Sequence, residues 1–426
     1  MLQRLRSFIS DPTSGNIIIN TIGTFINVFF VAIFAVILFR LMPISQYGAL
    51  SVLLGIAYVL ANVLEFGTTA TIYSYVPGMH TAKDPKLYRF IKSTFYYQSI
   101  FSAVIIVLLF ILFPYLDKVF FKTNSHIITL YLTALSSLFF IWQNFFTNIL
   151  FAAKKFYIAN LYVNIANIFK TVLIGILALT GYLSVGVVIL VFGIIGPAVF
   201  FLLIFLKNRK LVPLFYKAAI VREDFKFNYT MTYFIASQFY NLGTRMDLFL
   251  LSYFALKFDV GYYGLSQKII LSIIATIVSI TQVLSPRFAT INTKKEALKE
   301  FKTSILYMLI PSAIFVALYF TPTIIFKLAF SNKAVPIVSI NKSLAIAYFL
   351  NALGSIPLLF LLYTAKKPIY ILYSNIAFFI IVSIGSYWLI PQKGVHGPPL
   401  AILAAFIVAT AWQTIAMIYE YRKLKD

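Results

Sequence analysis

The sequence contains no cysteine and little charge, and both shortages narrow what the protein can be. Without cysteine, disulfide bridges and thiolate metal sites are excluded. The three histidines, His80, His126 and His396, lie far apart and match no metal-ligand spacing. Charged residues make up 11% of the chain and apolar residues 61%, whereas a soluble domain has about a quarter charged residues. This composition argues against a water-soluble protein and predicts a membrane protein.

The apolar residues lie in long continuous runs, and the mean hydropathy of the chain is +0.91. A helix that spans a bilayer needs about 20 mostly apolar residues, and the chain offers about twelve such segments. Transmembrane β-strands would instead need short alternating runs. We therefore predict an all-α polytopic membrane protein with about twelve transmembrane helices. The predicted spans are 17–39, 48–70, 95–116, 127–152, 158–180, 184–206, 229–253, 265–286, 303–321, 337–363, 369–390 and 398–419.

The net charge of +23 is distributed unevenly between the two sides of these spans. Counted along the sequence, 24 Lys and Arg residues fall in the termini and even-numbered loops, 8 in the odd-numbered loops, and 3 inside spans. Because positive charge stays cytoplasmic, we predict a multi-pass protein of the cell (inner) membrane with both termini cytoplasmic. The basic loops then face anionic lipid headgroups, and nucleic acid is not an expected partner.

The chain divides into two similar halves. We predict an N-terminal six-helix lobe at 1–207, a basic cytoplasmic linker at 208–228 and a C-terminal six-helix lobe at 229–426. The segments "FRLMPISQYGALSVLLGI" and "SYFALKFDVGYYGLSQKI" follow the first span of each half, with Gly48 and Gly261 in register. Two parallel halves, related by a pseudo-two-fold axis along the membrane normal, are a common plan of secondary transporters that work by alternating access.

Polar residues recur at helical spacing within the spans. Such stripes are costly in lipid and should face inward, where they either line a hydrated cavity or bond neighbouring helices. We favour the cavity because cationic residues lie on two of the stripes. The stripe residues that we select as candidate substrate contacts are Asn20 and Asn27 in the first span, Asn160, Asn164 and Asn167 in the fifth, and Asn241 in the seventh.

Two cations and two acids inside the spans are the strongest site candidates. In "NLGTRMDLFLL", Arg245 and Asp247 are about 200° apart around a helix, so they do not face each other. Arg245 and Lys170 are candidate contacts for an anionic substrate, and a guanidinium suits phosphate well. The alternatives are an internal ion pair for Arg245, and snorkelling or pairing with Glu65 for Lys170. Glu65 and Asp247 are the acids of the spans, and either could couple transport to H⁺ or Na⁺.

Several motifs of catalysis are missing from the sequence. It has no glycine-rich phosphate loop ending in Lys and Ser or Thr, and therefore no nucleotide motor. No nucleophile–base arrangement appears, and the short outer loops leave no room for a catalytic domain. We therefore predict that the protein is not an enzyme and has no cofactor other than a coupling ion.

Three segments resemble the polysaccharide flippases, the Wzx-type repeat-unit translocases. They are "YVLANVLEFGTTATIYSYVPGM", "RMDLFLLSYFALKFDVGYYGLSQKI" and "SPRFA". The resemblance implies the multidrug/oligosaccharidyl-lipid/polysaccharide exporter fold. It also implies that an oligosaccharide repeat unit on a polyprenyl pyrophosphate moves from the inner to the outer leaflet for O-antigen or capsule synthesis. Arg245 and Lys170 would match the cavity cations of the family. The implied partners are the lipid-linked oligosaccharide, membrane lipids, and polysaccharide polymerase and ligase machinery.

The alternative function is transport of small solutes or drugs by a carrier of the multidrug-exporter or major-facilitator type. A major-facilitator protein would be expected to show a Gly-Asp-Arg-Gly-Arg-like loop between spans two and three. The segment "PGMHTAKDPKLYRF" at that place lacks it. A non-transporting scaffold is the third class, against which the charged stripes argue.

Overall fold

The computed structural model describes residues 12–121, 123, 125–207, 209, 211–255, 257–330 and 335–426. Nearly all of these residues lie in α-helices, and the described part of the chain contains no β-strand. The chain divides into two compact units, Met1–Phe227 and Asn228–Asp426. The predicted all-α architecture is confirmed.

The first unit contains a series of long helices joined by short connections. A π-helical turn, Val191–Ile195, lies within the last long helix. The helices are α1 (Pro12–Leu41), α2 (Ile44–Leu64), α3 (Thr68–Thr81), α4 (Leu87–Leu116), α5 (Ile127–Ala152), α6 (Phe156–Leu179), α7 (Val185–Lys207) and the short α8 (Leu211–Lys217).

The second unit has a similar series. A π-helical turn, Phe360–Thr364, extends its fifth helix. The helices are α9 (Phe227–Phe254), α10 (Lys257–Phe288), α11 (Lys294–Phe320), the short α12 (Thr323–Phe330), α13 (Val335–Leu359), α14 (Pro368–Lys393) and α15 (Gly397–Tyr421).

Many apolar side chains point outward from these helices. Leu179 is 90% exposed and Ile111 is 71% exposed, as expected for side chains that face lipid rather than water. By length and hydropathy, eight helical stretches among the described residues could each cross a membrane, or nine if the bent α2–α3 pair is one span. One of the eight, Pro368–Tyr421, comprises both α14 and α15. The protein is therefore a multi-pass membrane protein.

The predicted second span, 48–70, differs from the structure because a break interrupts it. Helix α2 ends at Leu64, and α3 continues at an angle of 52°. Phe66 and Gly67 have φ angles of 56° and 71°, a left-handed conformation that no α-helix can contain. The "EFG" segment contains one charged residue and one glycine, but the hydropathy averaged over the span stays high, so the average does not reveal the bend.

The segment between the two halves packs on the first unit. Arg89 on α4 forms an ion pair with Asp224. The Lys92 ammonium donates to the carbonyl oxygens of Tyr216 and Ala218, at 2.6 and 2.7 Å. The described residues of the predicted linker up to Phe227 therefore belong to the first compact unit.

Both units contain the same basic turn, Ala-Lys-Lys, between two long helices. In the first, Lys154 has a φ of 62° and the Lys155 N–H donates to the Leu150 carbonyl at 2.8 Å. In the second, Lys366 has a φ of 54° and the Lys367 N–H donates to the Leu361 carbonyl at 2.9 Å. The turn is an internal repeat that is visible in the sequence at positions 153–155 and 365–367.

Candidate functional site

The polar stripes predicted for the first and fifth spans meet along α1 and α6. The Asn160 Nδ2 donates to the Asn20 Oδ1 at 2.9 Å. One turn further along α6, the Asn164 Nδ2 donates to the Gly23 carbonyl at 3.2 Å. The seam of contacts continues one turn later, where the side chains of Asn167 and Asn27 hydrogen-bond.

The seam shows how these five asparagines are used in this structure. Four of their side-chain amides pair across the two helices, and the fifth, Asn164, bonds the α1 backbone. A Cβ atom at Gly23 would lie 2.3 Å from the Asn160 Cγ, so the helices approach closely because this residue is glycine. Of the two interpretations of the stripe, the geometry gives hydrogen bonding between helices, the same role that polar residues have in other membrane bundles.

Lys170 lies one turn beyond Asn167 and is buried, with 7% of its surface exposed. Its Nζ lies 4.2 Å from the centre of the Phe192 ring, a cation–π contact. The aliphatic part of the side chain passes Gly196, where an added Cβ would lie 2.3 Å from the Lys170 Cδ. Within the described residues, no acidic group lies within 4.0 Å of the Lys170 ammonium. The contact that the structure shows for this charge is therefore the aromatic face of Phe192.

Glu65 lies at the break between α2 and α3, where its carboxylate caps a helix. The Glu65 Oε1 accepts from the Thr69 N–H at 3.1 Å, and the Glu65 carbonyl accepts from the Thr68 hydroxyl at 2.9 Å. A carboxylate at a helix N-terminus satisfies one of its unpaired N–H groups. Glu65 forms no ion pair with Lys170, so the pairing considered for these two residues is absent.

Arg245 and Asp247 point to different sides of α9, as their spacing predicts. Arg245 and Asn241 are exposed on the surface of the second unit, one helical turn apart. Asp247 is fully buried. No acidic group of the described chain lies within 4.0 Å of the Arg245 guanidinium. The alternative of an internal ion pair between Arg245 and Asp247 is therefore not realised in this structure.

The buried carboxylate of Asp247 is surrounded by hydrogen-bond donors. Its Oδ2 accepts from the Tyr263 hydroxyl at 2.6 Å and from the Gln267 Nε2 at 2.7 Å, and its Oδ1 accepts from the Leu248 N–H at 2.6 Å. Tyr263 and Gln267 are one turn apart on α10, so both donors come from one helix face. Sequence reasoning missed this pair, although its i, i+4 spacing opposite a span carboxylate is the signal that could have revealed it.

Comparison with known proteins identifies the family and the fold. A family model described as polysaccharide biosynthesis protein matches residues 14–292. No curated protein sequence matches the chain significantly.

Among the described residues, no group of three His, Cys, Asp or Glu side chains could hold a metal ion.

Several solved structures share the fold across nearly the whole chain. An outward-facing multidrug-resistance MATE-family transporter of the MOP superfamily is 14% identical, with a TM-score of 0.75 over 98% of both chains. A MOP-superfamily transporter from Pyrococcus furiosus is 14% identical, with a TM-score of 0.72 over 97% of this chain and 98% of that one. A Vibrio cholerae MATE transporter is 12% identical, with a TM-score of 0.72 over 96% of this chain and 97% of that one. The chain therefore belongs to the polysaccharide biosynthesis protein family and has the fold of the MOP-superfamily membrane transporters.

Proposed function

We propose that this transporter is a flippase for a polyprenyl-pyrophosphate-linked oligosaccharide. It would move the repeat unit from the inner to the outer leaflet of the cell membrane, for the synthesis of a surface polysaccharide such as O-antigen or capsule. The observation that carries the proposal is Arg245, an exposed guanidinium within a long apolar helix. Among the residues that the structure describes it has no ion pair, and the nearby Asp247 carboxylate is buried and already hydrogen-bonded.

The chemistry of the substrate fits this arrangement. A pyrophosphate carries negative charge and accepts hydrogen bonds in the planar, two-pronged geometry that a guanidinium offers. An exposed cation at such a position is costly in lipid, and function is the usual reason that it persists. Lys170 in the first unit is a second cation, with no ion pair in the described part of the chain, although its burial requires the α6–α7 contact to open before a phosphate could reach it.

The experiment that tests the proposal uses purified protein in liposomes with a fluorescent lipid-linked oligosaccharide. We expect Arg245→Ala to lose most flipping while the protein still accumulates in the membrane, and Arg245→Lys to retain part of it because the charge remains. Lys268→Ala is the matched control, since Lys268 is also exposed and lies on the neighbouring helix α10. Normal flipping by well-folded Arg245→Ala would refute the role of Arg245.

Drug or small-solute export is the competing function, because structures with this fold include MATE multidrug transporters. The positive charge of Arg245 distinguishes the two functions. Arg245 repels a cationic drug and attracts a pyrophosphate. Uptake of a cationic dye by the same liposomes, without flipping of the lipid-linked oligosaccharide, would favour drug export.

We further propose that Asp247, rather than Glu65, carries an ion-linked step. Asp247 is buried between two helices of one unit, and its three donors come from α9 and α10. Protonation or cation binding would change this network and so alter the packing of the two helices. Glu65 instead caps α3, a role that needs no titration.

A further inference from the structure

The first unit contains an apolar cavity of about 530 Å³, and none of the candidate site residues described above is part of its lining. It lies where the ends of α3, α4, α5 and α7 meet α8. Most of its lining is apolar, with Ile91 from α4, Phe146 and Ile149 from α5, Phe205 from α7 and Phe215 from α8. Its volume is within the range of about 300–1,000 Å³ that ligand pockets have. The cavity could therefore hold part of an apolar ligand.

Basic groups lie at one edge of this cavity. Lys155 and His80 are part of its lining, and Lys154 precedes Lys155 in the chain. His80 and Lys155 line the same cavity, and both Lys154 and Lys155 act electrostatically on His80. Within the described residues, no acidic side chain lies within 4.0 Å of either lysine. A cluster of this kind favours an anion.

The basic edge is held in place by the backbone. The N–H groups of Ala153, Lys154 and Lys155 donate to carbonyls of the last turns of α5 at 2.9, 2.8 and 2.8 Å. Lys155 is therefore presented at the cavity by a fixed turn.

Helix α8 closes the cavity on the side of the basic loops. Phe215 lies 6.0 Å from the Phe146 ring and 6.1 Å from the Phe95 ring, between centroids. Its neighbour Tyr216 is 80% exposed, and Lys92 ties the end of α8 to α4. A short helix with aromatic and basic residues, packed where spans meet loops, is typical of the headgroup level of a membrane.

The equivalent turn of the second unit provides a natural comparison. Lys367 occupies the position that corresponds to Lys155, and Glu420 lies close enough to interact with it electrostatically. Within the described residues, neither Lys155 nor Lys367 has an acidic group within 4.0 Å, so the two turns are alike in this respect and differ in that only Lys155 lines the cavity.

We propose that this cavity binds one anionic phospholipid, with an acyl chain among the apolar side chains and the phosphate at Lys155, Lys154 and His80. Basic pockets between membrane helices bind anionic headgroups in this way. The inference is independent of the flippase proposal, because it concerns a different part of the first unit and a membrane lipid rather than a transported substrate.

Native mass spectrometry of the purified full chain tests the proposal, with phosphatidylglycerol and phosphatidylcholine as probes. We expect one phosphatidylglycerol to be retained in preference to phosphatidylcholine. Lys155→Ala should weaken retention about fivefold, the effect of about 1 kcal/mol per basic residue near a membrane surface. Val212→Trp, which fills the cavity from α8, should also reduce it. Lys367→Ala is the matched control and should leave retention unchanged.

Three outcomes would overturn the assignment. They are equal retention of the two phospholipids, retention unaffected by both Lys155→Ala and Val212→Trp, and displacement of phosphatidylglycerol by an equimolar polyprenyl phosphate. The last result would give the cavity to the lipid tail of a substrate. Because the readout is a bound mass, a failure of the flippase proposal would leave the expected result unchanged.

Discussion

The burial of Lys170 has a clear cost in free energy. A lysine at the centre of a membrane helix costs about 2.5–3.5 kcal/mol on translocon-insertion scales. The contact with the Phe192 ring offsets part of that cost, since a desolvated cation–π interaction contributes about 2 kcal/mol. Such a balance leaves Lys170 close to neutral for stability, and its retention is then best explained by function.

We expect Lys170→Met either to leave the free energy of unfolding unchanged or to raise it by up to about 2 kcal/mol. Flipping should fall. Methionine replaces the aliphatic part of the side chain that packs against Gly196 and removes the charge. Thermal unfolding in detergent and flipping in liposomes are the two measurements, with the exposed Lys268→Met as control. A clearly lower unfolding temperature would mean that Lys170 has a stabilising partner that the described residues do not show.

Asp247 and Glu65 differ in what their carboxylates contact, so their variants should differ in transport. Asp247→Asn places an NH₂ group against the donors of Tyr263 or Gln267, which costs about 1–3 kcal/mol of stability. We expect its flipping to stop responding to an imposed proton or sodium gradient. Glu65→Gln should keep that response, because the Gln amide oxygen can still accept from the Thr69 N–H and only the charge–dipole interaction, about 0.3–1 kcal/mol, is lost.

The comparison of the two variants separates coupling from structure. An unchanged gradient response in folded Asp247→Asn would remove that residue from the coupling role. A lost response in Glu65→Gln would transfer the role to the α2–α3 break.

At the scale of elements, the contact between α1 and α6 depends on one small residue. Gly23 allows Asn160 to lie against the α1 backbone, and the adjacent asparagine bonds depend on that distance. Small residues that let helices approach closely are a general feature of membrane bundles. In lipid there is no hydrophobic driving force between helices, so close packing and hydrogen bonds hold them together.

Gly23→Ala should therefore destabilise the first unit, by about 1–3 kcal/mol, because the added methyl group overlaps Asn160. Gly15→Ala in the same helix is the control, since no heavy atom lies within 4 Å of its added Cβ. Thermal unfolding of the two variants in detergent measures the difference. Equal unfolding temperatures would show that α1 can move away from α6 at little cost.

At the scale of the whole molecule, the distribution of basic residues predicts how the chain crosses the membrane. Tyr182 lies in a predicted outer loop, and Ala219 lies in the predicted cytoplasmic linker; both are exposed. The cysteine-free sequence allows single cysteines to be placed at either position without background.

With an impermeant thiol reagent, we expect Tyr182→Cys to be labelled in intact cells and Ala219→Cys only after permeabilisation, because positive loops stay cytoplasmic. The opposite pattern would reverse the orientation of the protein and the direction of the proposed transport. Equal labelling of both positions would indicate a mixed topology.

The sequence by itself determined the fold class, an all-α membrane protein with many long apolar helices. Hydropathy depends only on local composition, and the bilayer sets the length of a span. The opposed faces of Arg245 and Asp247 were also predictable, because they follow from the pitch of one helix. The family was also legible, because its segments are continuous in the sequence.

Only the tertiary structure decided what each polar residue touches. The sequence showed asparagine stripes on two spans, but not that Asn160 bonds Asn20 across α1 and α6. It placed Asp247 in a span, but not beside Tyr263. It also did not reveal the break at Phe66 and Gly67, which lies inside the predicted second span. These outcomes depend on which helices pack together and how closely, and that choice is made by contacts between residues far apart in the chain.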